Sequence, residues 1–381
     1  MSALVVGRKI GVYCSDVSGA FDRVRLERLV AKLRKKGIHP QIVEVLASWL
    51  EQRFAQVVLG GTSSIMMVLI NMVYQGTVTG PILWNVFFED ARHAINEFLF
   101  EEIVYADDLN AYRIFLSHVD NDSIKSCISK CQQELHKWGQ ANQVAFDSGK
   151  ESQHIISVFD PSGENFKLLG VTFDTELAMA DAISELVSAA GWKLRTLIRT
   201  RRFYTDADLV VLYKAHLLSF LEYRTPAIYH ATRACLRRLD AVQSKFLNDI
   251  GVDEVAALVE FHLAPLSTRR DIAILGLIHR TTLGKGPPQF QKYFKQHRHN
   301  LTLHDPRSDS NSPLIQRSAL GLVAIYNMLP LSCRSARSVS AFQKSLQEIV
   351  TKYAVSGYPQ WSDVFSPRLC LTSHPIAMHV H

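Results

Sequence analysis

The chain has 381 residues, with 42 Lys and Arg against 36 Asp and Glu, for a net charge of +6. That length allows two or three domains at roughly 100–200 residues each. With 47% hydrophobic and 20% charged residues, 19 Gly, 13 Pro and 6 Cys, the composition excludes a disordered charged tail, a collagen-like chain and a disulfide framework.

Residues 9–16 (KIGVYCSD) read as a strand that ends on Asp16. Val24, Leu26, Leu29, Val30 and Leu33 recur at helical spacing through 24–36, and Gly37 stops that helix. A second helix starts at Pro40 and runs to about Gln52. Strands are expected at 55–59 and 65–74, either side of a Gly60-Gly61 turn. A helix covers 82–98, and 102–115 forms two strands around a tight Asp107-Asp108 turn. A helix over 121–142 carries Ile124, Ile128, Leu135 and Trp138 on one face, before strands at 154–159 and 166–173. This order is that of an α+β fold. From Asp181 to residue 283 the pattern turns helical and basic. Gly286-Pro287-Pro288 marks a boundary, the polar stretch 296–313 reads as a linker, and a last helical segment spans about 316–354.

The six cysteines include no CxxC pair and are scattered, as in an intracellular protein of the nucleus or cytoplasm with reduced thiols. No signal peptide is expected from the first residues. The longest apolar run, 65–74, is interrupted by Asn71 and falls far short of the ~20 residues that span a bilayer, so no membrane partner is expected. Cys127, Cys131 and His136 on one helix, and His374, His379 and His381 in the tail, lack a clean four-ligand zinc set.

Three short motifs stand in order: Asp16-Val17-Ser18-Gly19-Ala20-Phe21-Asp22, then Gln75-Gly76-Thr77-Val78-Thr79-Gly80-Pro81, then Tyr105-Ala106-Asp107-Asp108. Singly, each is ordinary turn or cap chemistry. Together they resemble the palm of reverse transcriptases of non-LTR (LINE-type) retrotransposons, whose motifs read much like D-x-S-x-A-F-D, P-Q-G-S-x-x-G-P and F/Y-A-D-D. The resemblance implies a palm, an antiparallel sheet with helices on one face, over 1–178. A helical, basic, thumb-like region (179–285), a linker (286–315) and a helical C-terminal segment with its tail (316–381) follow.

The implied activity is RNA-directed DNA synthesis: an RNA template, a DNA primer, deoxynucleoside triphosphates and two Mg²⁺ ions, with Mn²⁺ as the alternative. In-line phosphoryl transfer builds charge on attacking and leaving oxygens, and two cations about 3.5–4 Å apart stabilise both. By the resemblance, Asp16 and Asp107 bridge the metals, Asp108 sits beside them, and the backbone carbonyl of Val17 is a further ligand. Phe21 is then a steric gate against a 2′-hydroxyl, or simply a core ring. Gln75 and Gly76 support the template base and the incoming nucleotide, or form a plain turn. Lys150, in Asp147-Ser148-Gly149-Lys150, matches the lysine of an N-x-x-K motif that protonates pyrophosphate, or is a solvated surface lysine. Leu169-Gly170 resembles a primer-grip turn, or an ordinary hairpin. Lys193, Arg195, Arg199, Arg201 and Arg202 form the densest cation cluster, with Arg233, Arg237, Arg238 and Lys245 as a second. They neutralise duplex phosphates, or form a solvated helix face.

The sequence departs from the family in carrying only eight residues before the Asp16 strand, where a fingers region is expected. That reads as an N-terminal truncation, with another chain as one source of the missing fingers and an inactive remnant that only binds nucleic acid as the alternative function. Tyr74 stands where Pro is usual, Thr77 where Ser is common, Asp147 where Asn is expected and Glu151 where Thr is frequent.

Overall fold

A computed structural model of the chain describes residues 1–51, 53–69, 73–297, 300–310 and 312–378. Chain contacts divide it into two units, Val6–Glu164 and Asn165–His381 together with Met1–Val5.

The first unit is built on β1 (Lys9–Ser18), which runs two residues past Asp16. β2 (Arg53–Ala55) pairs with β5 (Met67–Leu69), and β3 (Val58–Leu59) pairs with β4 (Thr62–Ser63) around the Gly60-Gly61 tip. The expected strands at 55–59 and 65–74 are thus shorter pieces of a broken hairpin, and residues 70–72 lie outside the described residues, as does Gln52. β6 (Glu101–Tyr105) and β7 (Asp108–Phe115) form a hairpin, followed by β8 (Ala145–Phe146) and β9 (Ser152–Ile156). The main sheet is antiparallel, in the order β6-β7-β1, with β8 and β9 both paired to the far side of β1.

One face of this sheet is covered by the helix Asn121–Asn142, capped by the Asp120 side chain accepting from the Ser123 N–H at 2.7 Å. Its buried Ile124, Ile128, Cys131 and Leu135 share a core with Tyr13, Val17, Leu109 and Ile155. Gly11 lets the helix come this close: a Cβ there would lie 3.0 Å from Ile124 and from Phe115. The helix expected over 82–98 is two, Gly80–Phe88 and Ala91–Asn96.

The second unit opens with the hairpin β10 (Phe166–Leu168) and β11 (Val171–Phe173). Val171 of this hairpin is buried in a helical core beside Leu186, Leu194, Tyr213 and Phe246. The rings of Tyr213 and Phe246 stack there at 4.3 Å. The helices Ala180–Arg199 and Arg233–Ile250 pack side by side around this core.

A third core joins Leu266–Thr282 to the later helices Leu322–Met328 and Val339–Val355, through Leu275, Ile278, Tyr326, Phe342 and Leu346. Within the stretch read as a linker, 286–315, three side chains are anchored: Phe294, Leu303 and Ile315 are buried. Asn327 clamps Leu303 with two 2.8 Å hydrogen bonds, accepting from its N–H and donating to its carbonyl. Isolated apolar anchors in a polar stretch have no periodicity, so sequence patterning passes over them. Among the described residues no helix is long and apolar enough to cross a membrane.

Candidate active site

The β1–β7 ladder pairs Asp16 directly with Asp108. Directly opposed residues share a face of a sheet, so both carboxylates project from the face away from the Asn121–Asn142 helix. Burial, then the charges of Asp16 and Asp107, push the Asp108 carboxyl above the ordinary carboxylate range, while Lys150 pulls it back. The hairpin turn is Ala106-Asp107, with Asp108 already the first residue of β7, so the expected Asp-Asp turn is displaced by one residue. Val17 is buried and donates its N–H to the Asp107 carbonyl at 3.3 Å, stitching the turn to β1.

Ala106 holds φ of 55°, the left-handed region that a residue with a Cβ rarely adopts. Its carbonyl accepts a 2.7 Å hydrogen bond from the indole N–H of Trp84, a side chain 1% exposed on the Gly80–Phe88 helix. Trp84 is thus a support of the turn that the three motifs do not indicate. The available signal was a buried-helix Trp, whose N–H must find an acceptor.

Phe21 lies half-buried, its ring tilted at 5.6 Å against Trp84. Gln75 and Gly76 are exposed at the tip of the preceding loop, Gly76 at φ 80°. That loop is closed by Thr77, whose hydroxyl donates to the Tyr74 carbonyl at 2.7 Å and accepts from the Gly80 N–H at 3.2 Å. A Cβ on Gly80 would meet the Tyr74 carbonyl at 2.8 Å, so the turn needs glycine there.

Lys150 reaches back over β1 and its ammonium donates to the Asp16 carboxylate, with Asp147 3.9 Å away. The Asp16 hydrogen bond, then the Asp16 charge, raise the Lys150 ammonium above its usual range. The connection Asp147–Glu151 is locked by Asp147: its carbonyl accepts from the N–H groups of Lys150 (2.9 Å) and Glu151 (3.1 Å), and its own N–H donates to the Asp16 carbonyl (2.9 Å).

Asp16, Asp107 and Asp108 supply hard oxygen donors of the kind Mg²⁺ takes, and like charges opposed on one face favour a cation between them. The donor chemistry therefore fits a divalent ion. In the arrangement seen, the cation on Asp16 is the Lys150 ammonium. Among the described residues no three His, Cys, Asp or Glu side chains stand close enough to hold an ion together.

In the second unit, Leu169-Gly170 is the two-residue turn of the β10–β11 hairpin, with φ of 48° and 76°, a type I′ geometry that is strained at Leu169. Tyr223 donates to the Leu169 carbonyl at 2.9 Å and Arg224 to that of Gly170 at 3.2 Å.

Between the helices Ala180–Arg199 and Arg233–Ile250 lies a groove of about 760 Å³ lined by Arg195, Arg199, Arg201, Arg238 and Lys245, against one acid, Asp249. The two cation clusters thus meet, but only in part. Lys193 instead lies over the Phe220 ring at 5.1 Å and Arg202 over Phe203 at 4.7 Å. Arg233 and Arg237 line a different cavity with Asp240 and Asp363. The terminal residues His379 and His381 lie outside the described residues.

Residues 6–173 match the family model described as reverse transcriptase (RNA-dependent DNA polymerase). The chain is 25% identical over 253 residues to the RNA-directed DNA polymerase from mobile element jockey of Drosophila funebris, and 26% identical over 261 residues to that of Drosophila melanogaster. Each alignment covers 62% of this chain and 28% of the relative, so the chain spans about 28% of the length of these relatives. Among solved structures, an apo telomerase from Candida tropicalis, truncated from its C-terminal domain, gives a TM-score of 0.35 at 14% identity, over 44% of this chain and 34% of that one. The telomerase from Candida albicans in complex with a fragment of telomeric RNA gives 0.38 at 11% identity, over 89% and 49%. At those scores the likeness carries no argument.

Proposed function

Since residues 6–173 are a reverse transcriptase domain of the non-LTR retrotransposon kind, we propose that this chain carries RNA-directed DNA polymerase chemistry, extending a DNA primer on an RNA template with deoxynucleoside triphosphates. The observation that carries this reading is the ladder register that opposes Asp16 to Asp108 beside the Asp107 turn, with Lys150 on the Asp16 carboxylate.

Reverse transcriptases work with divalent metal ions, and two Mg²⁺ ions would be held by Asp16, Asp107 and Asp108, with the Val17 carbonyl. Bound there, they would neutralise the charge that grows on the attacking and leaving oxygens. Lys150 leaves Asp16 as the site loads and presents its ammonium to the departing pyrophosphate, as proton donor or as fixed positive charge. Phe21, braced on Trp84, offers a flat apolar surface under the sugar that gives a 2′-hydroxyl no hydrogen bond. The exposed Gln75-Gly76 tip supports the template base. Leu169-Gly170, held through its two carbonyls, grips the primer strand. Arg195, Arg199 and Arg201, joined by Arg238 and Lys245, bind backbone phosphates in their groove.

Primer extension on an RNA template with Mg²⁺ and deoxynucleotides tests the reading. Extension by the chain is expected, with Asp107→Asn lowering it by about a thousandfold at unchanged folding, the scale of losing a preorganised charge at the reacting centre. No extension, with salt-sensitive nucleic-acid binding retained, would leave a protein that holds nucleic acid without copying it.

A further inference from the structure

Glu151 stands where the resembling motif often carries Thr, and the structure gives it a specific place. Strand alternation, continued one residue back from β9, sends Glu151 to the helix-covered face of the sheet, as it does Gln153 and Ile155. Lys150, the residue before, goes to the opposite face and meets Asp16. On the covered side the Glu151 side chain is 8% exposed. Its carboxylate accepts from the phenol of Tyr13, a residue with no exposed surface on β1. The same oxygen lies 2.7 Å from Nε2 of His136 on the Asn121–Asn142 helix. His136 is itself held, stacked at 5.4 Å and 4° on Phe146 of β8. A carboxylate this buried is costly unless hydrogen-bonded, so the two partners fix where Glu151 can lie.

We propose that Tyr13 and His136 are positioning residues that act through Glu151 to hold Lys150 at the Asp16 carboxylate. Two consecutive residues on opposite faces cannot move independently: if Glu151 leaves its socket, the backbone turn that aims Lys150 rotates with it. The socket is assembled from β1, the helix, β8 and the Asp147–Glu151 connection; of these, β1 also carries Asp16 and the connection carries Lys150. The inference rests on the polymerase reading for its catalytic consequence, but not for the geometry.

Two readouts separate these. The first needs no activity: acylation of the Lys150 amine by an N-hydroxysuccinimide ester, without added metal, followed by peptide mass spectrometry with Lys193 as the internal reference. Glu151→Ala and Tyr13→Phe are expected to raise Lys150 reactivity by about fivefold, the equilibrium worth of one hydrogen bond. Glu151→Gln, which keeps an acceptor oxygen, should raise it less. The second is single-nucleotide addition. Glu151→Ala should lower kcat by about tenfold with the KM for deoxynucleotide little changed. The double variant with Lys150→Met should be no slower than Lys150→Met alone. Unchanged Lys150 reactivity in a folded Glu151→Ala or Tyr13→Phe chain overturns the proposal, as do losses that multiply in the double variant. If the unaltered chain adds no nucleotide, the polymerase reading fails and the acylation result alone decides the positioning. Should Glu151→Ala not fold, Tyr13→Phe and Glu151→Gln carry the test.

Discussion

In the Val6–Glu164 unit, the acids of the motifs come from strand ends and a tight turn: Asp16 and Asp108 face each other in a ladder, and Asp107 sits in the turn that joins two strands. In the Asn165–His381 unit, the cations that share a groove come from two separate helices, and neighbours in sequence such as Lys193 and Arg195 part company. A strand end holds its side chains in a direction set by the pleat, so a short motif there is a site in itself. A helix turns its residues through every direction, so a run of cations along it is divided among several faces.

The sharpest way to break the comparison is at the carboxylates, where the Asp107→Asn loss is the largest effect expected. If extension survives that change, the palm motif is not a site in itself.

Trp84→Phe comes next. It keeps the ring against Phe21 and Phe88 but leaves the Ala106 carbonyl without its donor. An unpaired polar group costs about 1–3 kcal/mol, so Tm should fall by several degrees, and extension by about tenfold as the turn that carries Asp107 loosens. An unaltered rate would mean that the strained turn holds itself.

The helical unit offers a smaller, pH-dependent effect. Asp271 is buried, and burial raises its carboxyl to about 6, against opposing contributions from the Tyr229 hydrogen bond and from Arg368 and Arg270. A carboxyl raised in the folded state binds its proton more tightly there than in the unfolded chain, whose carboxyl keeps the ordinary value of 3.8. Its contribution to stability is fully present below that value and is lost as pH rises through about 6. Asp271→Asn should therefore flatten the change in Tm between those two pH values, and an undiminished slope would assign the pH dependence to other groups.

The smallest effect sharpens the contrast within the cation run. Arg199→Ala should weaken nucleic-acid binding across sequences and reduce the slope of log affinity against log salt by about one, while Lys193→Ala leaves that slope alone. Equal effects would mean that the whole helix face, and not the groove, meets the phosphates.

Much of the Val6–Glu164 unit is legible in the order of its residues. Strand-like runs and turn residues mark β1 and the β6–β7 hairpin, and an apolar stripe at helical spacing marks the Asn121–Asn142 helix. The motif spacing names Asp16, Phe21, Gln75, Asp107 and Lys150 as candidates. The one-residue slip in the hairpin turn is not legible, because Ala106 is a poor turn residue by itself and is held at positive φ by a distant Trp84. Nor are the three anchors within 286–315, which lack any period.

What the amino-acid sequence determined by itself is therefore local: which segments become strands or helices, and which acids and bases stand beside turns, since these depend on residues a few positions apart. Tertiary structure decided the rest. It set the register that opposes Asp16 to Asp108, the socket that gives Glu151 its partners, and the choice of Arg199 over Lys193 for the groove. Each of these joins residues distant in the chain, and their meeting depends on how whole elements pack, which no local preference specifies.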